Sequence, residues 1–169
     1  MKPKIGTPKV LFAFAALIVM SACSNKQTDV LVAEGDKIGN EVAFEVAKNY
    51  FFKNGQEIPA SPKITTAEDF GKLFGMVTTM GEDGKPTPID FSKHFVLAIV
   101  HPVTDYATEI KPVKVTEKGD SLFYTFEVNK GEKQTYSIKP ISIIILDKKY
   151  ENKEVVCCTM KSRHGKVEK

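Results

Sequence analysis

The sequence predicts a mostly β, α+β domain: an antiparallel β-sandwich or barrel-like sheet carrying one short helix. Three observations lead there. Apolar residues alternate with a period of two along several short runs in the second half of the chain. Turn signals recur roughly every 8–12 residues between those runs. The stretch from Thr66 to Phe74 is the clearest helix, with capping residues at its start and an apolar face.

The elements follow in order. Residues 41–53 (EVAFEVAKNYFFK) place Val42, Phe44, Val46, Tyr50 and Phe52 on one parity, with Lys48 the single breach. A helical stripe through Ala43, Val46, Ala47, Tyr50 and Phe51 also fits, but the β-branched and aromatic content favours a strand. Thr65 or Thr66 can cap the helix, with Glu68 or Asp69 completing a capping box at its positive end. Phe70, Leu73 and Phe74 form the apolar face, and Gly75 reads as the stop after the last turn. A long connection, residues 76–90, carries Glu82-Asp83-Gly84-Lys85 as a turn signal.

Phe95–Val100 is continuously apolar, which predicts a strand buried on both faces. Ile110–Thr116 alternates around Val113 and Val115. Lys118-Gly119-Asp120 reads as a tight turn. Leu122, Tyr124, Phe126 and Val128 share one face of the next strand, and Asn129-Lys130-Gly131-Glu132 reads as a second reversal. Thr135–Ile138 and Ile141–Leu146 are strands separated by Pro140, which cannot donate to a ladder. Glu154–Met160 is the last strand.

The first 22 residues have a different character. Lys2, Lys4 and Lys9 precede an unbroken apolar run, Val10 to Met20. That run falls short of the roughly 20 helical residues needed to cross a hydrocarbon core and matches a secretory signal. Met20-Ser21-Ala22-Cys23 then resembles a bacterial lipobox, with Met20 where Leu is usual. The resemblance implies cleavage between Ala22 and Cys23 and a diacylglyceryl thioether on Cys23, the only cofactor-like group expected. Ser24, rather than Asp, after the Cys favours the outer membrane, and residues 24–29 lack the dense acidic run of a surface-export signal, which favours an anchor facing the periplasm.

The chain is thus read as a signal peptide at 1–22, a flexible tether at 23–40, one β-rich domain at 41–160 and a polar tail at 161–169. Within the tether, Val30-Leu31-Val32-Ala33 could add an edge strand.

The leader also explains the net charge of +3. Without its three lysines, the 24 basic residues become 21, facing 21 acidic ones. A balanced chain argues against nucleic acid as a partner, because counterion-release binding needs a clustered basic surface.

Chemistry-bearing motifs are few. No Gly-x-Ser-x-Gly, His-Glu-x-x-His or phosphate loop occurs, and the carboxylates are scattered, so no catalytic residue is assigned. His94 and His101 flank one strand on opposite faces, too far apart to share a metal. Cys157-Cys158 is the most unusual feature. In a strand the two thiols point to opposite faces, one to the core and one to the surface. A strained vicinal disulfide and a soft-metal site with Met160 and His164 are the sharper alternatives.

Two blocks carry a further resemblance. Ile64 through Phe74 is one. Pro88-Ile89-Asp90-Phe91-Ser92-Lys93, leading into Phe95–Val100, is the other. A capped short helix, a loop, then Asp-Phe-Ser-Lys before a buried strand resembles the PrcB C-terminal domain family, small secreted or lipid-anchored domains named after a non-catalytic subunit of a surface protease complex. Tyr136-Ser137-Ile138 before Ile143–Leu146 resembles its final strands. At Thr104-Asp105-Tyr106-Ala107 the Tyr is kept, but the family's neighbouring glycines are not. The resemblance spans about residues 64–147. It implies a β-rich, non-enzymatic domain. Asp90 and Ser92 punctuate the strand start, Phe91 is expected to insert beneath the helix, and a protein such as a protease or envelope complex is the kind of partner expected.

The expected function is therefore a lipid-anchored envelope protein, held to the membrane by Cys23, that binds or scaffolds another protein. The alternatives are a periplasmic small-ligand, redox or metal-handling protein using Cys157 and Cys158, and a hydrolase with a dispersed site.

Overall fold

The computed structural model describes residues 39–81 and 84–160. Ala22, Cys23, the 30–33 patch, Glu82, Asp83 and His164 lie outside them. Among the described residues ten strands follow one another as β1 (Asn40–Val42), β2 (Glu45–Val46), β3 (Tyr50–Phe52), β4 (Lys63–Ile64), β5 (Phe74–Met76), β6 (His94–Val100), β7 (Thr104–Lys118), β8 (Ser121–Ile138), β9 (Ile141–Asp147) and β10 (Glu154–Met160). The helix α1 (Ala67–Leu73) lies between β4 and β5, and a short 3-10 turn, Lys148–Tyr150, follows β9. The predicted mostly β, sandwich-like fold with one short helix is what forms.

One folded-over ribbon builds the sandwich. β6 and β9 pair antiparallel from His94↔Asp147 to Val100↔Ile141, and β7 and β8 pair antiparallel from Thr104↔Ile138 to Lys118↔Ser121. The chain passes between the two ribbons at His101-Pro102-Val103 on one strand and at Lys139-Pro140 on the other. Each corner holds a proline, which leaves the ladder where the strands must change sheets. The His101 amide donates to the Pro140 carbonyl at 2.9 Å and ties the corners together. Short strands then complete two sheets, ordered β1-β7-β8-β10 and β2-β9-β6-β4.

The layers follow from strand parity. Phe95 and Leu97 of β6, with Ile144 and Leu146 of β9, face the first sheet. There they meet Val42, Ile110, Val115, Leu122, Tyr124 and Phe126. The alternate residues Val96, Ala98, Ile143 and Ile145 face the other way, toward Phe52, Ile64, Phe70 and Phe74. β6 and β9 are therefore apolar on both faces because a core lies on each side of them, which accounts for the unbroken FVLAIV run.

The second core is closed by α1 and the β3–β5 pair. Thr66 caps α1, its hydroxyl accepting from the Asp69 amide at 3.1 Å. Phe70, the buried residue of α1, stacks on Phe74 at 5.0 Å and meets Tyr50 edge-on at 5.2 Å. Phe91 sits 5.6 Å from Phe70, beneath the helix. Aromatic pairs of this kind add about 0.5–1.5 kcal/mol each beyond the area they bury.

Four local expectations are corrected. The 41–53 segment is extended, but as three short strands in three different sheets, so its single parity does not hold: Val42 and Phe52 are buried while Val46 is exposed. Gly75 is not a left-handed helix stop, since the cap Phe74 is extended and Gly75 pairs with Phe51 in β5. A Cβ there would stand 2.3 Å from the Phe51 ring, so the missing side chain makes room for that aromatic. Asn129–Glu132 does not reverse the chain. β8 runs through it, with bulges that shift the register opposite Thr104–Thr108. Gly131 belongs to that irregular stretch, where a Cβ would meet the Ala107 carbonyl at 2.8 Å. Finally, Val113 does not share the face of Val115. An extra residue between Pro112 and Lys114 bulges the strand, leaving Val113 39% exposed and Val115 fully buried. The same bulge lets Ile110 and Val115, of opposite parity, reach one core.

The reversal at Lys118-Gly119-Asp120 forms as predicted. Gly119 takes φ +60° at the first central position of the two-residue loop, where glycine carries no steric penalty.

Candidate functional site

The site is the open edge formed by β10. After β9, Asp147 caps the 3-10 turn by accepting from the Lys149 amide at 2.9 Å. Lys148 donates to the Phe91 carbonyl at 2.8 Å. Lys63 Nζ reaches the carbonyls of Glu151 and Lys153 at 2.7 and 2.6 Å. Lys153 in turn donates to the Gly119 carbonyl at 2.8 Å and pairs with Glu117 at 2.7 Å. These lysines fix the passage from the second sheet to the first and deliver β10 alongside β8.

The pairing is parallel, register Glu154↔Ser121 through Met160↔Glu127. It is the parallel member of an otherwise antiparallel sheet. The Glu154 amide donates to the Asp120 carbonyl at 2.9 Å, so Glu154 directs its backbone groups toward β8. Strand alternation directs those of Val156, Cys158 and Met160 the same way. The N–H and C=O of Val155, Cys157 and Thr159 face outward. β10 ends the sheet order, and no described strand lies beyond it.

Edges of this kind are normally blunted by lysine, proline, a bulge or a covering element. From Val155 to Met160 the strand has no charge and no proline, and its register with β8 has no shift. Val156 and Met160 are exposed on its outer face. The last-strand assignment was legible in the sequence, whereas the openness of the strand was not. The available signal was the absence of any guarding residue between Val155 and Met160.

The two thiols are free. Cys157 stands opposite Tyr124 and so shares the inner face, beside Val155, which packs on the core. Cys158 stands opposite Thr125 on the outer face. The expected division into a core thiol and a surface thiol is corrected. Because β10 is an edge, Cys157 is exposed as a residue although its side chain points inward, and Cys158 is half-buried. Burial nevertheless pushes the Cys157 thiol up to about 11, with the neighbouring Cys158 adding to it. Burial also pushes the Tyr124 hydroxyl up to about 12, partly offset by its contact with Ser142 Oγ at 3.5 Å. Cys157 is thus a protonated, weakly nucleophilic thiol at neutral pH.

The structure does not bring the other sequence candidates together. Met160 shares a face with Cys158 and not with Cys157. His94 and His101 stand at opposite ends of β6, with Nδ1 atoms 3.2 Å from the Asp90 carbonyl and 2.9 Å from the Pro102 carbonyl. Among the described residues, no three His, Cys, Asp or Glu side chains are grouped to hold a metal ion.

The Asp-Phe-Ser-Lys block is a local turn. Asp90 Oδ1 accepts from the Ser92 amide at 3.0 Å and the Ser92 hydroxyl at 2.5 Å. These bonds hold its carboxyl below the usual range and place Phe91 under α1. Thr104-Asp105-Tyr106 opens the bulged part of β7, where Lys130 lies 3.4 Å over the Tyr106 ring and Lys133 pairs with Asp105 at 3.2 Å.

No family model matches this chain, and neither a curated protein nor a solved structure matches it.

Proposed function

We propose that this chain is a lipid-anchored cell-envelope protein, without catalysis of its own, whose β-rich domain docks another protein along β10. The observation that carries the proposal is the unguarded edge, with the backbone groups of Val155, Cys157 and Thr159 turned outward and Val156 and Met160 exposed beside them. Strand addition to such an edge takes its affinity from main-chain hydrogen bonds and its selectivity from alternate side chains.

The lipobox-like Met20-Ser21-Ala22-Cys23 supports the anchor on Cys23, Ser24 supports the outer membrane, and the lack of a dense acidic run in residues 24–29 supports its periplasmic side. The resemblance to the PrcB C-terminal domain family supports a protease or other envelope complex as the assembly served. The test is mild crosslinking in intact cells, followed by recovery of the lipidated chain and of its Thr159→Pro variant. Proline at 159 removes an outward N–H and none of the bonds to β8. The proposal expects partners with the wild type and their loss in the variant; equal recovery in both refutes it.

A further inference from the structure

We propose that the occupant of this edge is a second copy of the chain, its β10 pairing antiparallel with the first about Cys157, and that the two facing thiols close into an intermolecular disulfide. The proposal rests on the reading of β10 as a docking edge and names what docks there.

Symmetry limits the register. In an antiparallel pair, hydrogen-bonded and non-hydrogen-bonded positions alternate. A two-fold axis must map each kind of position onto itself, so some residue of β10 has to face its own copy. Centring on Cys157 uses the whole of Glu154–Met160. It also puts the outward-facing residues in the hydrogen-bonded positions: Cys157 opposite Cys157 of the second copy, and Val155 opposite Thr159 of the second copy. Val156 then faces Cys158 of the second copy on the outer surface, covering apolar groups now in water.

The charges permit this arrangement. Glu154 is the one charged residue of β10. Antiparallel pairing sends it to the opposite end of each strand, facing Met160 of the second copy, so no like charges meet. Outside the leader the chain balances 21 basic against 21 acidic residues, so two copies approach without net repulsion.

The thiols distinguish self-pairing from capture of an unrelated strand, because only self-pairing sets sulfur against sulfur at the centre. Residues in a hydrogen-bonded antiparallel pair have Cα atoms about 5.5 Å apart, inside the ~4.4–6.8 Å range of disulfides. Their Cβ atoms are also about 5.5 Å apart, about 1 Å beyond the usual disulfide span, so closing the bond draws the two edges together at Cys157. Adjacent strands of one sheet share faces, so both Sγ atoms lie on the inner side. In the reaction two thiols lose two protons and two electrons as the S–S bond forms. A disulfide-class oxidant, small molecule or protein, accepts the electrons and is released as two thiols. Cys158, on the other face, remains a thiol.

The test uses the full chain carrying Cys23→Ala, so that neither lipid nor a third thiol contributes. Under reducing conditions, sedimentation is expected to give a dimer for this chain and monomers for Cys157→Lys and Cys157→Glu, each of which sets like charges face to face. An equimolar mixture of the two variants is expected to recover the dimer, which also shows that both fold. With oxidised glutathione at about pH 9, where a fraction of the Cys157 thiol is ionised and can attack, a non-reducing gel is expected to show a disulfide dimer that survives Cys158→Ser and is lost in Cys157→Ser. A monomeric parent chain, a dimer untouched by Cys157→Lys, no recovery on mixing, or a disulfide running through Cys158 would each overturn the proposal. A monomeric parent whose crosslinked envelope partner still disappears in Thr159→Pro overturns self-pairing while leaving the docking edge standing.

Discussion

Cys157 of β10 lies directly opposite Tyr124 of β8, so an edge thiol faces the most deeply buried phenol of the core. The pairing links the chemistry of the edge to the packing behind it. Burial raises the thiol from 9.0 to about 11, so the folded chain keeps this proton where the unfolded chain has lost it. The stability contributed by the protonated thiol is complete below about pH 9 and is lost as pH rises through about 11. The urea midpoint is therefore expected to fall across that window, and to fall less in Cys157→Ala. Parallel declines in the two proteins would show that the thiol is not desolvated.

Two glycines should respond in opposite directions. Gly71 lies inside α1, and a Cβ there meets nothing within 4 Å. Gly71→Ala should stabilise by about 0.5–1 kcal/mol through helix entropy. At Gly84 a Cβ would stand 1.9 Å from the Thr79 carbonyl oxygen. Backbone cannot swing aside as a side-chain tip can, so Gly84→Ala should cost about 1–3 kcal/mol. Urea unfolding of both variants reads the signs, and equal effects would contradict the loop geometry.

The bulge between Pro112 and Lys114 makes a sharp comparison of neighbours. Val113→Ser should change stability by no more than about 0.5 kcal/mol, as for an ordinary surface position. Val115→Ser removes core volume and also buries a hydroxyl, which alone costs about 1–3 kcal/mol when unpartnered. On the two-faced strands, Phe95→Ala should cost about 3–5 and Ile144→Ala about 2–5 kcal/mol. Similar midpoints for the two Val variants would mean that the strand is not bulged there.

These positions also show how far the sequence could be read. Continuous runs and long alternations were legible because a single period governs them: FVLAIV between two cores, the Leu122-Tyr124-Phe126-Val128 face, and the capped helix at Thr66. Bulges were not, because an extra residue changes parity without changing composition. Val113 and the passage of β8 through Gly131 both depend on how the partner strand pairs. The three-sheet path of residues 40–52 was hidden for the same reason. At the candidate site, the thiols and their strand were visible, but the open, parallel edge was not, since strand order is set by distant pairings.

Anchoring has its own test. Cys23→Ala should move the chain from the membrane pellet to the soluble fraction, because the proposed attachment is lipid on that sulfur rather than basic surface. Retention in the pellet through an alkaline wash would contradict the lipobox reading.

The proposed function turns on β10 being a docking edge. The direct measurement is crosslinking of the lipidated chain in intact cells, wild type against Thr159→Pro, with the assembly size read by mass after membrane extraction. A discrete assembly above the monomer is expected for the wild type, and monomer alone for the variant. Assemblies of the same size and yield in both would contradict a docking edge.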